Sequence, residues 1–512
     1  MSTLSGLLLF AAWPVSSLMP FIFIAWVPLL MATDQAKNAS RFFGIAFWCL
    51  LIWNTGTTWW MWNSTDVGTI AAIMFNSMLM TFPWWGYFHL KKKGKIVGYF
   101  SLIAFWMCFE YIHHNWQLSW PWLTVGNVFA SYPDTIQWYE YTGVQGGTLW
   151  VMLINVLLYE IWLSYQQKSI SKKIIAYVLL LLSLPLLISY LIKPIQKEEA
   201  VDDNIVIVQP NIDPYGKFNA GTGAEQIQLL LNLSKEAIDN NTKMVIWPET
   251  AMSIADWQSN ITNNLYYQPV FEFSRQYPFI SLVSGIETFK NYGAEKATAT
   301  ARAAGDGTYY DAFNAAVHIQ NGQVLSFYNK SKLVPGVESL PTFLNFLAPV
   351  FEQFGGTTGG YGRSESAATF AVTGNNYIAA PIICYESVYG EYVGEYVKKG
   401  ANILTIMTND GWWGNTPGHK QHLQYARLRA IETRKWVARS ANTGISAVID
   451  PVGTIRSSQS WNKMSTIKYH VPIISGETFY VRWGDYLYKL ASLISILLLA
   501  WKIKDRFTKN KQ

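Results

Sequence analysis

Three side chains in the second half of the chain are of the types that acyl transfer needs: Glu249 in "WPET", Lys330 in "FYNKSKLVP" and Cys384 in "IICYE". Each closes a short apolar run. A thiol near neutral pH is mostly protonated; a nearby cation lowers its pKa, and a carboxylate can take its proton. The thiolate can then attack a carbonyl carbon while the cation and backbone N–H groups stabilise the developing oxyanion. Cys384 is one of three cysteines in 512 residues, and Cys49 and Cys108 lie in apolar stretches, so no disulfide framework is indicated. Read singly, each residue has an ordinary alternative: a buried core thiol for Cys384, paired or surface charges for Glu249 and Lys330. No cluster has metal-ligand spacing, and none is expected to bind a metal.

Positioning three such residues takes a folded domain. The runs "NIVIVQP", "KMVIWPET", "FISLVSGIE", "AAVHIQNGQVLSFYNK", "YIAAPIICYE", "NILTIMTND" and "ISAVIDPVG" are short, apolar and end in turn residues, the signature of strands. Residues 224–240 and the stretch "HKQHLQYARLRAIETRKWVARSA" read as amphipathic helices between them. Alternating strands and helices over residues 200–478 predict an α/β or α+β domain with its own core. Its expected linkers are "KPIQKEEAVDD" in front and "YVRWGDY" behind.

The rest of the chain is built for a bilayer. Half of all residues are hydrophobic, aromatics (16%) outnumber charged residues (14%), and there are 24 tryptophans. A soluble domain carries about 25% charged residues. The net charge of +6 is small, and no basic run accompanies an aromatic nucleic-acid motif, so nucleic acid is set aside. Apolar segments at 4–31, 42–62, 67–90, 96–112, 146–165, 174–192 and 486–501 approach the ~20 residues that span a hydrocarbon core. The first, broken by Pro14, Pro20 and Pro28, fits two short helices or one with an irregular flank; two would give eight spans. Lys37 and Arg41, "KKKGK" at 91–95, Lys168 with Lys172 and Lys173, and the basic C-terminus then share one side. Positive loops mark the cytoplasmic face, which puts 200–478 outside. No basic region precedes the first apolar block, so no cleavable signal is expected. The expected division is a bundle of about seven helices over 1–195, the outer domain over 200–478 and a last span at 484–503.

"VIWPET", "YNKSKLVP", "PIICYES" and "TNDGWWG", in that order, resemble the carbon–nitrogen hydrolase (nitrilase) superfamily. Enclosed by seven or eight spans, they resemble its apolipoprotein N-acyltransferase family, as does the later Arg-Ser-x-Asn-x-Gly pattern at 439–444. The resemblance implies an αββα sandwich on a membrane helical bundle. It also implies a triad: Glu249 as general base, Lys330 as oxyanion stabiliser and Cys384 as nucleophile. Glu338 would orient the lysine, and Glu386 would be a supporting acid with Tyr385 beside it. "LVPGVE" departs from the family's Val-Pro-Phe-Gly-Glu at Gly336-Val337, which bears on that loop's shape. The implied reaction moves an acyl chain from a membrane phospholipid, through a Cys384 thioester, to the amino group of a diacylglyceryl apolipoprotein. It needs no cofactor, and a monomeric integral protein of the bacterial inner membrane with a periplasmic catalytic domain is implied.

Trp412 and Trp413 fit either a mobile loop at a lipid-facing mouth or an aromatic belt. Trp59, Trp60 and Trp62 fit the belt. Glu110 and Glu160 are expected at membrane interfaces, and His113 and His114 in an outer loop without a catalytic role. Two rivals use the same features: a membrane-anchored amidase hydrolysing small amides, and a non-enzymatic transporter or assembly factor. Many spans are excessive for a tether, and broken helices in paired positions, which a transporter would show, are not evident.

Overall fold

The computed structural model describes residues 1–169, 171–194, 202–219, 221–340 and 360–509. Most of the front linker expected at 193–203 lies outside them. The chain divides into two compact units, 1–193 with 483–512, and 194–482.

The first unit is helical. Five helices are long and apolar enough to cross a membrane: Asp66–Lys93, Lys95–His114, Val144–Gln166, Lys172–Ile192 and Tyr486–Thr508. A further helix, Ala39–Thr58, is 20 residues long and opens with Asn38, whose side chain accepts from Arg41 N at 2.8 Å. The first apolar block forms two shorter helical pieces, Ser2–Ala12 and Met19–Asp34. Pro20 and Pro28 each occupy a first helical turn, where the missing N–H costs nothing. Asn155 serves the interrupted backbone there, accepting from Trp26 N at 2.8 Å and donating to Ile22 O at 2.9 Å. Trp26 is the hub of a buried indole cluster, with ring centroids 5.7, 5.3 and 5.0 Å from those of Trp53, Trp84 and Trp106.

Three expectations fail in this unit. Glu110 is buried rather than interfacial, because four donors hold it: Trp106 Nε1 at 3.0 Å, Val125 N at 2.8 Å, Thr148 Oγ1 at 2.8 Å and Tyr488 OH at 2.7 Å. His113 is buried inside the helix Lys95–His114, which runs further than the apolar run suggested. Trp60 does not join an exposed belt; it packs on Trp122 at 5.0 Å, while Trp59 and Trp62 stay exposed.

The second unit holds two sheets. The larger comprises β1 (Asn204–Gln209), β2 (Thr242–Ile246), β3 (Met252–Trp257), β4 (Ser281–Gly293), β5 (Arg302–Ala303), β6 (Tyr309–Gln320), β7 (Gln323–Asn329) and β14 (Ser465–His470). Its path runs β14-β1-β2-β4-β6-β5, with β3 on β4 and β7 on β6. The smaller, in the order β13-β12-β11-β10-β9-β8, comprises β8 (Phe370–Ala371), β9 (Ile378–Ile383), β10 (Ile403–Thr408), β11 (Trp436–Ala441), β12 (Ala447–Ile449) and β13 (Ile455–Ser458). Strands β1, β10 and β11 are buried at every residue, as strands covered on both faces must be. Helices Gly223–Ala237 and Gln268–Gln276 pack on the larger sheet, Gly390–Lys398 and Pro417–Thr433 on the smaller. Ser440 Oγ in β11 donates to Val208 O in β1 at 2.8 Å, joining the sheets, so the layers are αββα.

Two local readings change. "HKQHLQYARLRAIETRKWVARSA" is not one helix: it ends at Thr433, Arg434 turns left-handed (φ 52°), and "WVARSA" is strand β11. Its apolar and small residues fit a slot between β10 and β12 that a helix could not enter. "YVRWGDY" overlaps the short helix Phe479–Trp483 rather than being linker alone.

Candidate active site

The hairpin β6–β7 turns at Asn321-Gly322, both at positive φ (49° and 71°), the geometry that two-residue hairpins favour. Lys330 is the first residue after β7, and its N donates to Asn314 O on β6 at 2.9 Å, which extends the ladder one step. Its buried Nζ reaches Glu249 Oε1 at 3.1 Å and Glu338 Oε1 at 2.8 Å. Glu249 follows β2 by three residues. Asn314 Nδ2 donates to both carboxylates, at 2.8 Å to Glu249 and 2.9 Å to Glu338, and so spaces them around the ammonium. The two carboxylates hold Lys330 well above its ordinary pKa against the opposing pull of burial.

Glu338 is fixed by its own turn: its N donates to Val334 O at 2.9 Å, and its Oε2 accepts from Val334 N at 2.8 Å. Gly336 sits at φ +81°, a conformation that favours glycine. The Gly336-Val337 departure therefore leaves the glutamate on the lysine.

Cys384 is the first residue after β9, at φ +46°, uncommon for any residue but glycine. Burial and the charge of Glu249 push its thiol pKa up; Lys330 and a hydrogen bond from Thr408 pull it down. The half-buried thiol and the buried acid and cation thus act on one another. They come from both sheets: Glu249 and Lys330 follow β2 and β7 of the larger, and Cys384 follows β9 of the smaller.

Residues 205–475 match the carbon–nitrogen hydrolase family profile. The chain belongs to the carbon–nitrogen hydrolase family. Residues 5–157 match the profile of the apolipoprotein N-acyltransferase N-terminal domain. An apolipoprotein N-acyltransferase of Chlorobaculum tepidum is 29% identical, covering 98% of this chain and 96% of its own. One from Geobacter metallireducens is 26% identical over 95% of this chain and 91% of its own. Among solved structures, a Nesterenkonia amidase of the nitrilase superfamily is similar over 57% of this chain and 97% of its own, at 15% identity and TM-score 0.37.

Around Glu249, Lys330 and Cys384, the other expected residues take distinct places. Glu386 is fully buried and touches none of the three side chains by a hydrogen bond. Its Oε1 accepts from Tyr328 OH (2.5 Å) and Ser331 N (2.7 Å), its Oε2 from Ile383 N (2.8 Å) and Tyr396 OH (3.2 Å). It therefore ties the residue after Lys330 to the residue before Cys384, and burial pushes its pKa up. Tyr385 is buried with its ring edge-on to Tyr389 at 5.3 Å. Trp412 stands edge-on to Tyr215 at 5.2 Å, and Trp413 to His422 at 5.6 Å.

Sequence reasoning missed four groups. Asn314 lies inside a strand run and carries no local signal. Buried Lys217 donates to Glu249 O at 2.9 Å and Thr250 Oγ1 at 2.8 Å, and burial lowers its pKa to about 8. Glu287 receives Tyr361 OH at 3.1 Å and is pushed up to about 7 by burial. The fourth group is Asp410 with His422, inside "TNDGWWG" and the helix that follows. Atoms of Cys384, Asp410 and His422 lie within 4.8 Å of one another, a set no sequence spacing announced. It is a poor cation cage. Asp410 already accepts from Thr408 (2.8 Å), His422 Nδ1 (2.9 Å) and the Arg439 guanidinium (2.5 Å).

Proposed function

We propose that the chain transfers a fatty acyl group from a membrane phospholipid, through a thioester on Cys384, to the α-amino group of an apolipoprotein's N-terminal diacylglyceryl-cysteine. One observation carries this reading: a single chain joins the N-terminal helical domain of these N-acyltransferases to the hydrolase module, and its relatives share both. A small-amide hydrolase needs only the second.

In the first half-reaction Glu249 takes the thiol proton and sulfur bonds to the ester carbonyl carbon. Lys330 and backbone N–H groups stabilise the oxyanion; the C–O bond breaks, and Glu249 returns the proton to the departing lysophospholipid oxygen. In the second, the amine attacks the thioester, Glu249 takes its proton, the C–S bond breaks and the thiol is restored. Glu338 and Asn314 keep Lys330 aimed.

The membrane helices serve the substrates. Extracting acyl chains into water costs ~0.8 kcal/mol per CH₂, so chemistry at the bilayer avoids a large penalty. The proposed topology has eight crossings, with helices over 1–195 and 484–503, both termini and the basic loops cytoplasmic, and a periplasmic catalytic domain over 200–478. The protein would act as a monomer in a bacterial inner membrane. Reporter fusions check this; an outward-facing 91–95 loop would overturn it.

The deciding experiment is mass spectrometry of the purified protein given phospholipid alone. Cys384 should carry an acyl thioester that persists until a diacylglyceryl peptide amine is added. Rapid turnover in water without the amine would make the protein a hydrolase.

A further inference from the structure

Beside the triad lies a second set of buried polar groups that the mechanism above does not use. Asp410 follows β10, His422 lies on the helix Pro417–Thr433, Arg439 is in β11, and Ser387 is in the turn that Cys384 opens. All four are almost completely buried. Arg439 Nη2 donates to Asp410 Oδ2 at 2.5 Å, and His422 Nδ1 lies 2.9 Å from Asp410 Oδ1. His422 Nε2 lies 2.9 Å from Ser387 Oγ, which donates to the carbonyl of Cys384 itself at 2.7 Å.

We propose that Asp410, His422 and Arg439 are positioning residues for the nucleophile: an arm that fixes the Cys384 carbonyl through Ser387 and sets the charge facing its thiol. This rests on the reading of Cys384 as nucleophile. Two features support it. Cys384 holds a left-handed φ of 46°, and such a conformation persists only where its surroundings over-determine it. The Ser387 bond is one such constraint, and it is anchored through His422 to a carboxylate that cannot move because Arg439 and Thr408 also hold it. Second, the carboxylate of Asp410 opposes ionisation of the thiol, while the Arg439 guanidinium offsets that carboxylate. The charged and titratable groups acting on the thiol are then Glu249 and Lys330, the latter carrying Glu338, together with Asp410, His422, Arg439 and Tyr385. Burial, Glu249 and Asp410 together keep the thiol neutral at rest, and Lys330 opposes them.

The test uses the full-length protein with two readouts: pH-dependent alkylation of Cys384 by iodoacetamide, and kcat and KM for thioester formation from phospholipid. Asp410→Asn should speed alkylation at pH 8 by about tenfold, the effect of one unit in thiol pKa. Arg439→Gln should slow it. A site merely loosened by mutation would be alkylated faster in both variants, which would overturn the charge assignment. His422→Ala should lower kcat by at least about tenfold with KM unchanged, and His422→Gln, which can still reach Ser387, should restore most of it. Equal loss in both variants, or no loss in His422→Ala, would overturn the tether. Should the Arg439 variant not fold, Ser387→Ala still decides the tether: it should lower kcat without moving the alkylation profile, and an unchanged kcat refutes it. If Cys384→Ser itself retains acyl transfer, the functional reading has failed rather than this one.

Discussion

Each unit buries a glutamate, and the two are treated differently. Glu110 in the helical unit is surrounded by neutral donors: an indole, a backbone N–H and two hydroxyls. Glu249 in the catalytic unit instead shares an ammonium with Glu338, with one neutral amide between them. Neutral donors satisfy a carboxylate's lone pairs and thereby pin the elements that supply them. A buried ion pair does little for net stability, because desolvation consumes most of the attraction. Two carboxylates on one lysine therefore make sense as chemistry rather than as scaffolding. Glu386 sharpens the contrast: it sits in the catalytic unit yet, like Glu110, is held by neutral donors, here two tyrosine hydroxyls and backbone N–H groups.

The same isosteric exchange, glutamate to glutamine, should therefore have opposite consequences at these places. The largest effect belongs to the triad. Glu249→Gln removes the proposed base and should lower thioester formation by about 10²–10⁴-fold while the fold persists. Cys384→Ser should abolish the thioester, since a hydroxyl ionises far less readily than a thiol. Lys330→Met should cost about 10²–10³-fold through the oxyanion, and should also lower the melting temperature by leaving two carboxylates unneutralised. Thioester mass and thermal unfolding of the same samples separate these contributions. A Glu249→Gln variant that still forms the thioester at the wild-type rate would end the assignment of the base.

Glu386→Gln comes next. Its oxygens receive backbone N–H groups from both sides, Ser331 and Ile383, so a glutamine must turn its NH₂ toward one of them. Leaving one such donor unmet costs about 1–3 kcal/mol. Thermal unfolding should report this, and thioester formation should fall by less than in the triad variants. A loss equal to that of Glu249→Gln would place Glu386 in the chemistry instead.

How much of this the sequence disclosed depends on distance along the chain. Lys330 and Cys384 stood out as candidates because each immediately follows an apolar run, and a strand end is where a side chain leaves the ladder. Glu249 was legible only with its "WPET" context. Asn314, inside "DAFNAAV", looks like any strand residue, and its role exists only because β6 carries it between two distant loops. Lys217 and the Asp410–His422–Arg439 set were hidden for the same reason: their partners lie on other elements. The helix expected over 419–441 failed because its strand portion is short and rich in small residues, so no periodicity arbitrated. Glu110 looked interfacial because it lies near the end of an apolar run, where its buried partners Val125, Thr148 and Tyr488 are invisible.

A pH experiment adds a smaller effect. Glu287 is pushed from an ordinary 4.5 to about 7 in the folded protein, chiefly by burial. The unfolded chain thus ionises first, so this group's stabilising contribution is complete below about 4.5 and is lost as pH rises toward about 7. Glu287→Gln cannot titrate. The difference in melting temperature between the variant and wild type should shift in the variant's favour across that window and be flat on either side. A flat difference throughout would show that the native state does not hold this proton.

The smallest effect is expected at Glu110→Gln, and its smallness is the point. The retained oxygen can keep Trp106 Nε1 and Val125 N, which both approach Oε1. The new NH₂ replaces Oε2, whose partners are the hydroxyls of Thr148 and Tyr488. A hydroxyl can accept as well as donate, so both can turn to receive the amide. The exchange should cost less than about 1 kcal/mol, and thioester formation should be unaffected. Glu110→Leu removes the acceptor altogether, strands all four donors and should cost about 1–3 kcal/mol for each that finds no other partner. Thermal unfolding of the two variants side by side gives the answer. If Glu110→Gln instead abolished acyl transfer with the fold intact, the carboxylate's charge would matter in the helical unit too. The distinction between scaffold glutamates and reacting ones would then have to be abandoned.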